Sequence, residues 1–226
     1  MNLLLVAVGG YLIGTISFTR LIGHRILPGE DLSETEYAIP GSDETSTYRG
    51  VSASSIIERS GWKWGLAVAV LDGLKALIPT LVLLVVYPDS AAYAVAAVAV
   101  MVGHVWPVWW RFEGGRGQAV LLGALIAIDV VAIPAAIVAG TVVGLLLFTS
   151  VYMARNMWPL PLIPWFWWRD GIGANFWFAI AVNAVYWIAS RSDVAEELRV
   201  RKIRGVSGQS YPNRLRYAWH AFFTED

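Results

Sequence analysis

The sequence predicts an all-α integral membrane protein of about seven transmembrane helices, N-terminus outside and C-terminus cytoplasmic. Three observations predict it. Hydrophobic residues make up 57% of the 226 and charged residues only 15%, and the mean hydropathy of +0.55 lies well above that of ordinary soluble domains. Apolar runs approaching the roughly 20 residues that span about 30 Å of hydrocarbon recur along the chain. The cations gather on alternate breaks between those runs, the pattern produced when cytoplasmic loops keep an excess of Lys and Arg.

Residues 2–22 are the first apolar segment; with no cation before it, it is expected to remain as a helix rather than leave as a cleaved signal peptide. Residues 23–61 form a cytoplasmic loop. Within it, 29–47 carries Glu30, Asp31, Glu34, Glu36, Asp43 and Glu44 without metal-loop spacing, and reads as a solvated acidic insertion. Residues 62–87 are the second segment, ended by Pro88 and Asp89, and 91–110 the third. A shorter fourth, 118–129, closes near Asp129; 131–154 is the fifth, 157–168 a short proline-broken sixth, and 172–190 the seventh. Segments of about 12 residues are too short to cross unaided and are expected to tilt or re-enter. Residues 1–190 thus read as one transmembrane domain. Residues 191–226 follow as a cytoplasmic basic tail whose RVRKIR run, 199–204, suits anionic lipid headgroups.

In this arrangement every cation faces the cytoplasm except Arg169 and the intramembrane Lys75. The 12 tryptophans, among them Trp62, Trp64, Trp109, Trp110, Trp167 and Trp168 near predicted helix ends, fit interfacial anchoring. The absence of cysteine excludes disulfides, thiolate metal sites and a cysteine nucleophile. Zero net charge and a pI near 6.8 argue against nucleic acid as a partner. No metal and no cofactor is called for.

The chemistry is concentrated in Gly103 to Val120, GHVWPVWWRFEGGRGQAV. Gly114, Gly115 and Gly117 bring backbone N–H groups close to a ligand with no Cβ in the way, and Arg116 adds a planar, permanent cation. That is phosphate-binding equipment, although a plain hairpin between helices uses the same residues. His104, at a predicted membrane boundary, suits either a helix cap or an acid–base role. In LDGLKALIP, Asp72 and Lys75 lie on one helical face. Each ionised group at the bilayer centre costs about 2.5–3.5 kcal/mol, so the two are expected to face the bundle interior and pair, as a packing device or as support for a polar pocket.

GGYLIGTISF, LDGLKALIP and GHVWPVWWRFEGGRGQAV resemble, in order and spacing, the YLIGSIPF, LDxxKGxxP and GHxFPVFxxFKGGKGVAT patterns of the bacterial membrane glycerol-3-phosphate acyltransferases that use acyl phosphate. The resemblance covers about the first two-thirds of the chain. It implies a seven-helix enzyme of phospholipid synthesis in the cell membrane, its active face cytoplasmic. Such an enzyme moves a fatty acyl group from acyl phosphate to the sn-1 hydroxyl of glycerol 3-phosphate without a covalent acyl-enzyme. On this basis Arg116, His104 and Ser54 are catalytic candidates. Gly114, Gly115, Gly117, Arg59 and Arg155 are phosphate-binding candidates, with Asp72 and Lys75 in support.

Departures from the family pattern fall elsewhere. The turn's usual Lys is Arg116, which keeps the charge and changes its reach. The family's SGNxGATN segment aligns with Tyr48 to Ser55, where Ser54 keeps a hydroxyl, both asparagines are replaced, and the following arginine falls on Glu58 beside Arg59. Its SLAS segment becomes Tyr152, Met153, Ala154 and Arg155. Of its HxxNIxRL segment the nearest echo is Asn213, Arg214 and Leu215. Two classes of function follow: an acyltransferase with a divergent acceptor site, or a noncatalytic relative that binds a lipid or phosphorylated metabolite or assembles with another membrane protein. A transporter using Asp72 and Lys75 is a weaker third.

Overall fold

The computed structural model describes residues 2–39 and 42–224. Pro40 and Gly41 of the acidic insertion and the last two residues of the tail lie outside them. Twelve α-helices and one hairpin are described: α1 Leu3–Gly14, α2 Phe18–Ile26, β1 Glu34–Ala38, β2 Thr45–Arg49, α3 Ala53–Ser60, α4 Trp62–Val86, α5 Ala92–Val105, α6 Gln118–Ile128, α7 Ala132–Leu146, α8 Val151–Asn156, α9 Leu162–Asp170, α10 Ala174–Ala189, α11 Arg191–Ile203 and α12 Tyr211–Thr224.

The most buried helix is α5, and it organises the rest. Its Ala97, Val100 and Met101 join Val120, Leu121 and Ala124 of α6 and Phe178, Val182 and Tyr186 of α10 in one core cluster. Small residues let α1 approach closely: a Cβ on Gly14 would lie 2.2 Å from the Val100 carbonyl oxygen, and one on Gly103 2.1 Å from that of Tyr11. Between helices in a bilayer such close backbone packing substitutes for a hydrophobic driving force. The outward faces of α1, α4 and the end of α7 are apolar, with Leu4, Leu5, Val85 and Leu147 exposed, as a lipid-facing surface requires.

Three segments are long and apolar enough to cross a membrane, Leu3–Ile26, Trp62–Val86 and Ala92–Trp110, while α6, α7 and α10 are apolar but shorter. The boundaries differ from the sequence reading in several places: the loop 23–61 contains α3, α9 begins only at Leu162 within the segment 157–168, and three further differences have a local cause. The first segment breaks at Thr15, whose hydroxyl donates to the Leu12 carbonyl at 2.7 Å, and resumes at Ser17, which caps α2. The run 131–154 is two helices, divided by a turn in which Thr149 has φ +49° and Ser150 caps α8. The acidic insertion is folded: β1 and β2 pair antiparallel, from Glu34 opposite Arg49 to Ala38 opposite Thr45.

That hairpin docks on the tail. Arg199 of α11 reaches Glu44 at 2.8 Å and the Thr45 carbonyl at 2.5 Å, and Glu196 accepts the Thr47 N–H at 3.1 Å. Of the insertion's exposed carboxylates, Glu44 thus pairs with the chain's own basic helix, while Glu34 pairs with Arg49 of the hairpin.

Candidate active site

The glycine turn follows a single 3₁₀ turn, Val108–Trp110, and leads into the N-terminus of α6, with Gly117 at φ +82° as its cap residue. The turn is fastened from behind. The Gly115 N–H donates to the His104 carbonyl at 3.2 Å, and the Gly114 carbonyl accepts the Val51 N–H at 3.1 Å. Arg20 donates to the Glu113 carbonyl at 2.6 Å and stacks over Trp110. The backbone N–H groups of Gly114, Arg116 and Gly117 donate to no group among the described residues. Together with the open first turn of α6 they form a local concentration of donors where an anion is favoured.

Behind the turn lies a buried polar triad. Lys75 Nζ is 2.8 Å from Asp72 Oδ1, 2.8 Å from His104 Nδ1, 2.8 Å from the Ile16 carbonyl and 3.1 Å from that of Gly14. The ammonium therefore joins α4 to the break between α1 and α2 and to the end of α5. As donor to His104 Nδ1 it fixes the imidazole proton on Nε2, and that edge packs on Gly115, where an added Cβ would sit 2.4 Å from Nε2. The pairing expected of Asp72 and Lys75 is present, and His104 is its third member.

In front of the turn is a cleft of about 740 Å³ lined by Gly114, Gly115 and Arg116 together with Arg49, Arg191 and Ser192. Arg116 reaches across it to α11, donating from Nε to Asp193 Oδ2 at 2.6 Å and from Nη2 to Asp193 Oδ1 at 2.5 Å. Its remaining nitrogen, Nη1, rests on Gly50, where an added Cβ would lie 2.0 Å away. Below, Gln118 Nε2 donates to Asn156 Oδ1 and to the Tyr186 hydroxyl, both at 2.9 Å, tying α6 to α8 and α10. Beside the pair, Tyr48 stacks on Tyr152 with centroids 6.0 Å apart. Burial, reinforced by Glu197, Asp193 and Glu196, pushes the Tyr48 phenol up, so it remains a neutral wall.

The other sequence candidates lie apart from this cleft. His104 is buried behind the turn. Ser54 is exposed on α3, while Ser52 and Ser55 make that helix's capping box. Arg59 is committed to the insertion, donating to the carbonyls of Glu34 at 2.6 Å and Asp31 at 3.2 Å and pairing with Glu30 at 3.3 Å. Arg155 lines a different cavity, against α11 and α12. Sequence reasoning missed Arg49, Arg191 and Asp193. The one signal was the Arg-Ser-Asp run directly after the last apolar segment, charged residues placed where the chain leaves the membrane. Among the described residues no group of three His, Cys, Asp or Glu could hold a metal ion.

Apolar helices packed around α5, with a donor-rich turn at one helix N-terminus beside an arginine-lined cleft, define a helical membrane protein with a candidate site at that cleft. The family model described as glycerol-3-phosphate acyltransferase matches residues 4–199, and the chain belongs to that family. It is 36% identical over 146 residues to a glycerol-3-phosphate acyltransferase of Anaeromyxobacter sp. (strain Fw109-5), covering 63% of this chain and 64% of the relative. It is 29% identical over 135 residues to that of Mesoplasma florum, covering 57% and 48%. The chain thus spans about half to two thirds of the length of these relatives. The fold is similar to the crystal structure of PlsY, an integral membrane glycerol 3-phosphate acyltransferase. Its glycerol 3-phosphate form gives a TM-score of 0.68 at 24% identity over 90% of this chain and 92% of that one, and its lysophosphatidic acid form 0.66 at 25% over the same shares.

Proposed function

We propose that this chain transfers a fatty acyl group from acyl phosphate to the sn-1 hydroxyl of glycerol 3-phosphate, or of a related polyol phosphate, giving the lysophosphatidate. In this reading the chain crosses the cell membrane seven times with its N-terminus outside, and the cleft opens to the cytoplasm. The observation that carries it is the turn Gly114–Gly117, in which Gly114 and Arg116, their backbone N–H groups uncommitted, line a cleft shared with Arg49 and Arg191. Relatives named glycerol-3-phosphate acyltransferase support it, as does the PlsY structure in a glycerol 3-phosphate form.

An acyl phosphate is already a mixed anhydride, so the protein needs to position two anions and stabilise charge on the departing phosphate. The acceptor oxygen bonds to the acyl carbon as the bond from that carbon to the phosphate oxygen breaks, and the hydroxyl proton is lost to the phosphate. The Arg116 guanidinium and the backbone N–H groups of Gly114 and Arg116 hold the leaving phosphate, while Gly117, buried outside the cleft lining, shapes the turn; Arg191, which has no ion-pair partner among the described residues, is placed to draw in the second anion. His104, Lys75 and Asp72 hold the turn in shape from behind. Ser54, Arg59 and Arg155 take no part in this assignment.

A second reading, a noncatalytic relative that binds a phosphorylated ligand, is favoured by one observation: Asp193 already occupies two nitrogens of the Arg116 guanidinium. The test is turnover of acyl phosphate with glycerol 3-phosphate by purified protein, measuring lysophosphatidate and released phosphate. Product that disappears in Arg116→Ala supports the enzyme. Phosphate release without the lipid product points to another acceptor, and no turnover with a panel of polyol phosphates leaves the noncatalytic reading.

A further inference from the structure

A second cavity, of about 490 Å³, lies between α8, α11 and α12. It shares no lining residue with the cleft at the glycine turn, and it is built partly from residues beyond 199, where the family match ends. Arg155, Arg201 and Arg204 line it against one carboxylate, Glu197. That carboxylate already accepts the Ser150 hydroxyl at 2.5 Å.

The three guanidiniums are differently employed. Arg201 is anchored, donating to the Phe148 carbonyl at 2.6 Å and to Thr149 Oγ1 at 3.0 Å. Arg204 donates from Nη1 to the Tyr217 hydroxyl at 2.5 Å, and its Nε is buried with no hydrogen-bond partner. Arg155 is exposed and has no hydrogen bond or ion pair among the described residues. A buried donor without an acceptor is costly, and an excess of guanidinium in a concave site is resolved most directly by an oxyanion with several acceptor oxygens.

We propose that this cavity between α8, α11 and α12 is a second phosphate-binding site, distinct from the cleft at the glycine turn, which holds the phosphate of an anionic lipid headgroup or free phosphate. The surroundings fit a headgroup. Exposed Phe148 and Trp219 stand on the segments that build the cavity, and the Tyr211 hydroxyl donates to the Leu146 carbonyl at 2.6 Å, tying α12 to the end of α7. Aromatic side chains and arginines side by side suit the boundary between hydrocarbon and headgroups.

The test is binding by the full chain in detergent, without acyl phosphate, so that its failure and failure of the acyltransferase reading are separate results. Retention of phosphatidylglycerol against phosphatidylcholine is read by native mass spectrometry, and inorganic phosphate by thermal shift. Phosphatidylglycerol is expected to be retained preferentially. Arg155→Gln should weaken that retention about tenfold, the loss of one charge-assisted contact, whereas Arg116→Gln should leave it unchanged. Arg204→Gln is read beside Tyr217→Phe, which removes the same tyrosine contact and keeps the charge; only the former should weaken binding. Inorganic phosphate that raises the unfolding temperature and displaces the lipid identifies free phosphate as a ligand too, and lipid retention without that shift identifies the headgroup alone. Equal retention of both lipids with no phosphate shift overturns the proposal, as does binding lost in Arg116→Gln and kept in Arg155→Gln.

Discussion

Arg116 and Asp193, 77 residues apart in the chain, form a two-point ion pair at 2.6 and 2.5 Å that fastens α11 to the glycine turn. Both side chains are largely buried, 19% and 9% exposed, so the pair is less screened than a surface bridge. A double-mutant cycle of Arg116→Gln and Asp193→Asn on thermal stability should show a coupling of about 1–3 kcal/mol. Asp193→Asn, which leaves Arg116 in place and loosens its orientation, should lower acyl-transfer turnover about tenfold, and Arg116→Lys should do no better because an ammonium cannot reproduce the fork. Strictly additive single variants would remove the pair from the account.

Gly50 has φ +142°, and a Cβ there would lie 2.0 Å from Arg116 Nη1. A side chain at this position both strains the backbone and displaces the guanidinium. Gly50→Ala should therefore cost turnover nearly as much as Arg116→Ala, with helical content by circular dichroism unchanged. Normal turnover in Gly50→Ala would show that the guanidinium's position does not matter.

These relationships explain which parts of the molecule were legible in the sequence. Asp72 and Lys75 were readable because their spacing is a helical one, and burying both charges demands a partner. The glycine turn was readable as a turn because three glycines in four positions interrupt the apolar helical pattern. His104 could be seen but not its part, since its bond to Lys75 joins α5 to α4, two helices whose pairing no local spacing reveals. Asp193 was unreadable because a carboxylate in a charged tail looks solvated until the tail is folded back. The hairpin was hidden for the same reason: its strands are mostly exposed, so no apolar alternation marks them, and its docking partner, Arg199, is supplied from α11.

Glu197 gives a pH-dependent expectation. Burial holds its carboxyl above the ordinary carboxylate range, against the Ser150 hydroxyl and the nearby Arg201 and Arg204, which favour the ionised form. The fold thus prefers the neutral acid. Its contribution to stability is fully present below the ordinary glutamate range and is lost as pH rises through the raised value. Glu197→Gln, a permanent neutral mimic, should unfold at a higher temperature than the parent at neutral pH, by about 2–4 °C for each kcal/mol recovered. The two proteins should converge in mild acid. Equal unfolding temperatures at neutral pH would show that the buried carboxylate carries no cost.

The triad behind the turn yields the sharpest contrast between removing one charge and removing two. Asp72 and Lys75 side chains are each 3% exposed, and Lys75 also serves two carbonyls and His104. Lys75→Met leaves the Asp72 carboxylate buried without its counterion, a change that costs about 3–5 kcal/mol, whereas replacing both members of a buried pair with apolar residues of similar size is often nearly neutral. Lys75→Met should therefore unfold at a lower temperature than the double variant Asp72→Leu with Lys75→Met. Stability restored in the double variant should not restore turnover, because His104 still lacks its Nδ1 partner and Gly115 rests on that ring. Recovery of both together would mean that the triad only balances charge and leaves the shape of the glycine turn untouched; recovery of stability alone would mark Lys75 as the residue that positions the turn through His104.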